Sequence, residues 1–362
     1  MVVTAKALDT SAQAHGDISS VTTIPFKFTG KAGEYFKIWI VNIVLTILTL
    51  GIYSAWAKVR RKRYFYGNTQ LQGSPFEYLA EPMQILKGRL IAFGIFVVYF
   101  ISSELLPPLA AIFGLAFIVG LPWLVIRAHA FNARYSSYRN IRFGFKGGYG
   151  QALAVYIGLP ILSVITLGLA YPAYTYYRSR FLVTHSGYGT TPFSFSATAG
   201  GFYGVYIKAM LIFLAGGVLF GALFWAFGVS TPSPGEPSLA GSAALVFFLA
   251  LAWLMLLLMV RAYVETAIAN LVWNNAESNG NRFESTLAVP HMIWLYFSNA
   301  VAIVVSLGLL IPWAQIRMTR YRFENLKLAA AGNLDSFVAN EEEKVASAGE
   351  EIADFFDFDI GL

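Results

Sequence analysis

Long apolar runs alternate with short basic and aromatic segments through most of the chain, and this pattern predicts helices in a membrane. Two regions hold paired runs separated by proline-rich turns, at residues 90–103 with 105–126 and at residues 205–229 with 243–260. Because about 20 apolar residues in a helix cross a bilayer, each region is predicted to form a two-helix hairpin. Three other runs of single-span length are interrupted by similar tripeptides, Thr49-Leu50-Gly51, Thr166-Leu167-Gly168 and Ser306-Leu307-Gly308.

Related sequences recur between the apolar runs, which predicts five tandem units. The segments that follow the first and last runs match at four positions, with Trp56, Arg60, Arg63 and Asn68 corresponding to Trp313, Arg317, Arg320 and Asn325. A Phe-x-Phe or Phe-x-Tyr motif near the start of the units predicts short strands. The predicted division is a polar, mobile leader at 1–24, units at 25–74, 75–141, 142–191, 192–281 and 282–334, and an acidic, disordered tail at 335–362.

Each short unit either crosses the membrane once or bends at its glycine and returns. Single crossings would place 16 Lys and Arg on the inner side and 9 on the outer side, whereas returning units would place all 25 on one side. The positive-inside rule favours the return, but length favours a single crossing, since each half of a bent unit is short. We predict bent, partly inserted helix pairs that turn at Gly51, Gly168 and Gly308.

The ends of the basic segments carry asparagine where helices are expected to stop. Asn68 and Asn325 are predicted to cap these helices, because asparagine tolerates a left-handed backbone at a helix C-terminus. The alternating segments that follow read as hairpins, and hairpins from several units are predicted to pair, since a lone hairpin is marginally stable. The predicted fold class is therefore an all-α polytopic membrane protein of tandem helix-pair repeats, with short β-strands and hairpins on the cytoplasmic side.

Composition and charge agree with a membrane protein whose basic side faces the cytoplasm. Only 13% of the residues are charged and 57% are hydrophobic, whereas roughly 25% of a soluble chain is charged. Before residue 335 the chain has 25 Lys and Arg against 11 Asp and Glu. This surplus lies beside apolar runs, so it predicts contact with anionic lipid headgroups rather than nucleic acid. We expect the basic flanks and the tail to be cytoplasmic, and no cleavable signal peptide within residues 1–33.

Several motifs of the first unit carry a family resemblance. The segments at residues 35–39, 45–53, 55–60 and 63–69, which read YFKIW, LTILTLGIY, AWAKVR and RYFYGNT, closely resemble the YjgN-like family of bacterial inner-membrane proteins. The resemblance covers about residues 24–330 and is most specific over 35–90. It implies a multi-pass protein of the bacterial inner membrane. It carries over no catalytic residue, substrate or cofactor, because the family is known mainly as membrane proteins of unassigned function.

Three sets of side chains are candidates for function. Asn42 and Asn299 each lie nine residues before a turn glycine; a hydrogen bond between units is the favoured reading, and a solvated conduit the alternative. Six arginines either ring a vestibule that binds an anion or lipid phosphate, or simply set the topology, and they are Arg60, Arg63, Arg127, Arg261, Arg317 and Arg320. Three tryptophans are predicted interfacial anchors, namely Trp56, Trp123 and Trp313.

No sequence motif predicts catalysis, a metal or a cofactor. The four histidines lack metal-ligand spacing, the chain has no cysteine, and no P-loop, nucleophile elbow or dinucleotide fingerprint is found. We therefore predict a protein that is not an enzyme. Transport of a small solute or ion is the first functional prediction, because repeated hairpins around a polar interior are common in transporters. The alternative is a membrane scaffold or anionic-lipid-binding protein. The tail, if ordered, would fold back onto the basic face.

Overall fold

The connections between helix pairs form strands that join into one antiparallel sheet. The computed structural model describes residues 22–105, 107–226 and 239–357. Within these residues the strand order is β7-β6-β5-β4-β3-β2-β1-β11-β10-β9-β8. The strands are β1 (Thr22–Phe28), β2 (Thr69–Leu71), β3 (Ser74–Tyr78), β4 (Ser136–Tyr138), β5 (Ile141–Phe145), β6 (Ser186–Tyr188), β7 (Thr191–Pro192), β8 (Ser194–Phe195), β9 (Ala276–Ser278), β10 (Asn281–Ser285) and β11 (Leu326–Ala330).

The sheet is nearly closed into a ring, and this overturns the all-α fold class. The first described strand pairs with the last, with Thr22 opposite Ala330. The two strands at the ends of the order, β7 and β8, are separated in sequence by Phe193 alone, and we call this gap the seam. Strands of two to seven residues cannot stand alone. Every unit therefore shares its strands with its neighbours, and the short hairpins expected from the sequence become a single cap.

Alternate side chains of the strands fill the interior of the ring with aromatic rings. Phe26 of β1 lies 6.1 Å from Phe76 of β3 and 6.5 Å from Phe283 of β10, measured between ring centroids. Phe76 also contacts Tyr138 of β4 at 4.8 Å. Side chains on a strand alternate between its two faces. The first aromatic residue of each motif therefore enters the core of the ring, as Phe26, Phe76 and Phe143 do, while the second packs in a separate cluster against the helices.

Among the described residues, four helices are long and apolar enough to cross a membrane. They form two hairpins, and each helix begins or ends several residues beyond the apolar run that predicted it. The proline-rich turn at 230–237 and most of the leader lie outside the described residues. The helices are α3 (Pro82–Leu105), α4 (Pro107–Arg134), α8 (Ala199–Ala226) and α9 (Leu239–Trp273).

The three short units are helical hairpins that turn back toward the sheet. Both ends of each hairpin lead into strands of the same ring, so the chain returns to the side from which it left. In the middle hairpin a π-helical turn, Ala154–Gly158, joins α5 to α6. The helices are α1 (Ala32–Leu48) with α2 (Ser54–Gly67), α5 (Tyr149–Leu153) and α6 (Leu159–Ile165) with α7 (Tyr171–Thr184), and α10 (Val289–Val305) with α11 (Ile311–Glu324).

The same glycine turn closes all three short hairpins. Gly51, Gly168 and Gly308 have φ values of 93°, 91° and 90°, which favour glycine over any other residue. The Gly51 N–H donates to the carbonyl of Thr46 at 2.8 Å, so the turn gives a hydrogen-bond partner to a backbone carbonyl at the C-terminal end of α1. The preceding leucines are the most exposed apolar residues of the hairpins, at 95% for Leu50. Such tips are stable only where the surroundings are themselves apolar.

The C-terminal segment forms a helix, α12 (Leu334–Asp357), where a disordered tail was predicted. Its acidic composition favours disorder, but its apolar residues recur at helical spacing and find a surface to bury them. Leu334 and Val338 are buried in the core of the ring, and Phe337 stacks on Tyr188 at 6.0 Å. The tail thus folds back as a helix, but it packs on the sheet ring, whereas the sequence-based alternative placed it on the basic face.

Candidate functional site

The two candidate membrane asparagines hold their own hairpins together rather than linking units. Asn42 on α1 is 8% exposed, and its Nδ2 lies 3.5 Å from the carbonyl of Ala57 on α2. Its Oδ1 is buried without a hydrogen-bond partner. Asn299 on α10 is 7% exposed and accepts from Nη1 of Arg317 on α11 at 3.4 Å. The predicted bond between units is therefore wrong for both residues.

Two of the six candidate arginines fasten neighbouring units to each other. Arg63 donates to the carbonyls of Tyr78 and Ala80, at 3.3 and 3.0 Å, where the second unit leaves its strand. Arg320 donates to the carbonyl of Gly30 at 2.8 Å, at the corresponding point of the first unit. A guanidinium with several donors suits such backbone contacts. These matched bonds join the last unit to the first in the same way as the first to the second.

The other four arginines do not converge on one vestibule. Arg317 donates to Ser298 Oγ at 2.6 Å and lies 5.1 Å from the Trp313 ring. Arg127 lies over the Trp123 ring at 5.4 Å. Arg60 is exposed, and Arg261 forms an ion pair. Of the predicted anchors, Trp123 and Trp313 are exposed on α4 and α11, while Trp56 is half-buried beside Tyr53.

Asn68 and Asn325 are the C-cap residues of α2 and α11, but not in the conformation expected. Their φ values are −95° and −100°, so the predicted left-handed backbone is wrong. Each side chain instead bonds back to its own helix; Asn68 Nδ2 donates to the carbonyl of Tyr64 at 2.8 Å. The Asn68 carbonyl accepts from the Thr29 N–H at 2.9 Å. Asn68 thus caps the end of α2 with its side chain and binds the residue after β1 with its backbone carbonyl.

An acidic group that the sequence analysis overlooked lies in the body of an apolar helix. Glu265 on α9 forms ion pairs with Arg261 at 2.8 Å and with Arg322 of α11 at 3.3 Å. It also accepts a hydrogen bond from the hydroxyl of Tyr296 on α10. A carboxylate between two arginines ties three helices together. Arg261, four residues away on α9, was visible in the sequence as a partner, but Arg322 lies 57 residues further on.

A cavity of about 590 Å³ lies between α2, α9, α10 and α11. One end is lined by Ile303 and Ile311, close to the tip of the last short hairpin, and the other by Arg61, Lys62 and Thr319. Asn299 lies between these ends, so the structure brings one of the two candidate asparagines to a cavity. Its size is typical of a ligand pocket.

Lys62 is a half-buried cation at the polar end of this cavity. Its Nζ donates to Asn132 Oδ1 of α4 at 2.5 Å and lies 4.5 Å from the Tyr78 ring. Burial, followed by the neighbouring charges of Lys58 and Arg61, lowers the pKa of Lys62 to about 8. Arg61 and Lys62 thus bring two basic residues to this end of the cavity.

Exposed basic side chains lie at a similar level on eight helices. Each is between about 6 and 18 Å from the sheet end of its helix, at 1.5 Å per residue. The apolar tips lie beyond them, so the molecule is layered from sheet to cations to apolar surface. We call this set the basic belt, and it consists of Lys37, Lys58, Lys87, Arg127, Arg178, Lys208, Arg261 and Arg320.

Glu341 of α12 is bound next to the seam of the ring. Its side chain is fully buried and accepts from the Thr190 N–H at 2.9 Å, the Thr190 hydroxyl at 3.0 Å and the Thr191 hydroxyl at 2.6 Å. Lys344 pairs with it at 2.9 Å. Burial alone would raise the pKa of this carboxyl, but the bonds from Thr191, Lys344 and Thr190 outweigh it and hold the pKa at about 2.

Comparison with known proteins places these features in a family context. The chain matches, over residues 23–355, the model of a family described as "Bacterial protein of unknown function (DUF898)". It is similar to inner membrane protein YjgN of Salmonella typhimurium, with 27% identity over 364 residues, 88% of this chain and 91% of that protein. Inner membrane protein YjgN of Escherichia coli O157:H7 is 31% identical over 147 residues, 40% of this chain and 37% of that protein. No solved structure matches the chain. These findings confirm the predicted resemblance.

Proposed function

The chain belongs to the DUF898 family of bacterial proteins, and from this premise we propose a multi-pass inner membrane protein that binds anionic lipid headgroups. In this proposal the sheet and α12 are cytoplasmic, and five tandem units enter the bilayer from that side. The observation that carries the proposal is the basic belt, which separates a folded sheet from predominantly apolar helix ends.

The distances from the belt to the helix tips match a bilayer entered from one side. From Arg127 to the start of α4 is about 30 Å at 1.5 Å per residue, which equals the hydrocarbon thickness. From Lys37 to the tip at Leu50 is about 20 Å. The long hairpins therefore cross the core, and the short ones end inside it. Their turns can lie in the apolar core because hydrogen bonds within each glycine turn satisfy backbone groups at the helix ends.

The charge of the belt favours anionic lipid as its partner. Anionic headgroups attract basic side chains near the cytoplasmic surface, by about 1 kcal/mol for each cation. Eight helices carry such a cation, and Arg127 lies beside Trp123, a residue type that favours the same interface. The aromatic filling of the ring also leaves its interior occupied by side chains. A scaffold that gathers anionic lipid fits this arrangement better than a conduit through the sheet.

Spin-labelled lipids test the proposal in reconstituted membranes. We expect phosphatidylglycerol to be immobilised at the protein more than phosphatidylcholine, and Lys58→Gln combined with Arg178→Gln to reduce this preference. The matched control combines Lys27→Gln and Arg142→Gln, which remove two exposed cations from the outer face of the sheet. An equal effect of both pairs, or no lipid preference in the parent protein, would contradict a role for the belt.

One observation favours transport as a second candidate function. Asn299 lines the cavity, which is the placement expected of a polar residue on a pathway. Transport requires water to reach Asn299 and Asn42 alike. Cysteines introduced at both positions should then react with a water-soluble maleimide, whereas reaction at neither position would exclude a wet pathway along these two residues.

A further inference from the structure

The cavity between α2, α9, α10 and α11 changes from apolar to basic along the direction of the helices. Ile311 and Thr319, at its two ends on α11, are separated by about 12 Å at 1.5 Å per residue. Ile303 and Ile311 lie near the hairpin tip, whereas Arg61 lies at the level of the basic belt. The polarity of the cavity therefore follows the polarity of the proposed bilayer.

The basic end of the cavity has positive charge without a matching acid. Among the residues that the structure describes, no carboxylate forms an ion pair with Arg61 or Lys62. Lys62 is bound to the neutral side chain of Asn132. Gln315, between the two ends, is held by the Tyr35 hydroxyl at 2.9 Å. An anion at this end would lie near both cations. Glu265, which accepts from the hydroxyl of the lining residue Tyr296, is already paired with two arginines.

We propose that this cavity binds one anionic amphiphile drawn from the bilayer, with its charged head at Arg61 and its acyl chain beside Ile303 and Ile311. The occupant is a lipid because the apolar end lies among helix tips that face hydrocarbon. It is anionic because Arg61 and Lys62 are its polar neighbours. This inference rests on the proposed function for the depth of the cavity, but the site is a single pocket, distinct from the belt around the helices.

Native mass spectrometry of the full chain in a neutral detergent tests the site. The probes are palmitoyl lysophosphatidylglycerol and palmitoyl lysophosphatidylcholine, which differ in head charge. We expect a one-to-one adduct that prefers the anionic lipid by at least about tenfold, because both heads carry a phosphate but the choline head adds a quaternary ammonium, which Arg61 and Lys62 repel.

Neighbouring arginines supply a matched pair of variants. Arg61→Gln is expected to reduce affinity for the anionic probe at least about tenfold. Arg60→Gln removes the same charge one residue away, from a side chain that does not line the cavity, and should leave affinity unchanged. Ala300→Phe, which narrows the cavity, should weaken the adduct of either probe.

Two results would overturn the site. One is an equal affinity for the anionic and zwitterionic probes, and the other is an equal effect of Arg61→Gln and Arg60→Gln. Neither result bears on the belt, which is judged by lipid immobilisation around the whole protein. Conversely, a specific one-to-one adduct in a protein with no preference among surrounding lipids would retain the pocket and refute the proposed function.

Discussion

Replacement of Glu341 should release α12 from the ring while the rest of the fold remains. The carboxylate accepts three bonds from Thr190 and Thr191, and its side chain is completely buried. In Glu341→Ala the Thr190 N–H and the two hydroxyls lose this acceptor. A buried donor left without a partner costs about 1–3 kcal/mol, and hydroxyls can rotate to other acceptors. We therefore expect a loss of about 3 kcal/mol in docking free energy for α12.

Hydrogen exchange measures this loss directly. Amides of α12 exchange through local opening, so a loss of about 3 kcal/mol raises their exchange rate by a factor of about 100. Glu341→Gln keeps the shape but not the charge, and charged hydrogen bonds are roughly twice as strong as neutral ones. Its effect should lie between those of the parent and the alanine variant. Amides of β1 and β11 should be unaffected.

Glu342 provides the matched control for this experiment. It carries the same charge on the next position of α12, but its side chain is exposed. Glu342→Ala and Glu342→Gln should leave exchange of α12 unchanged, because surface charges contribute little. Equal exchange in the Glu341 and Glu342 variants would refute the idea that this carboxylate fixes α12 to the ring.

Two further predictions concern acid and the turns of the short hairpins. The docked Glu341 has a pKa of about 2, below the ordinary value of 4.5. Docking of α12 should therefore be fully favoured above about pH 5 and weaken as pH falls toward 2. Protease sensitivity of α12 measured against pH should show this weakening, and Glu341→Gln should remove it. Gly51→Ala should destabilise the first hairpin by about 1–3 kcal/mol, because φ there is 93°. Gly33→Ala, which places its Cβ in open space, is the control in thermal unfolding; equal melting temperatures would contradict the strain argument.

Local features of the fold were predictable because they depend on few neighbouring residues. Gly51, Gly168 and Gly308 each interrupt an apolar run, which predicts a turn, and each has a positive φ in the structure. The strand motifs around Phe76, Phe143 and Phe283 were likewise visible as alternating segments.

The closed sheet was not predictable from those motifs. Its decisive contact pairs β1 with β11, about 300 residues apart along the chain, as in the pairing of Thr22 with Ala330. Strands this short carry little information about their partners or register. Pairing of strands from different units was predicted, but a ring of strands that encloses a core was not.

The helix α12 is ordered where its acidic composition predicts disorder, because the spacing of its apolar residues matches a helix. Leu334, Phe337 and Val338 recur at helical intervals, and this pattern could have predicted an amphipathic helix. The role of Glu341 depends on Thr190 and Thr191 being brought beside it by the ring, so no local signal marked it among the neighbouring acids.

In the candidate site, too, residues marked by local sequence were predictable and residues placed by distant contacts were not. Asn299 was recognised from its depth in an apolar run, and it lines the cavity. Arg61, the charge that most favours a ligand there, was hidden in a run of basic residues that the sequence treats alike. Which of them faces the cavity depends on α11, and that contact arises only when the last unit packs on the first.

Labelling from opposite sides of the membrane tests the central claim that every strand lies on the cytoplasmic side. The chain has no cysteine, so Glu77→Cys, Thr198→Cys and Glu284→Cys each introduce one thiol at an exposed position near the sheet. We predict that an impermeant maleimide labels none of the three in spheroplasts and all three in inverted membrane vesicles. Labelling of the cysteines at 198 and 284 in spheroplasts, with protection at 77, would show that short units cross the membrane and would contradict the account.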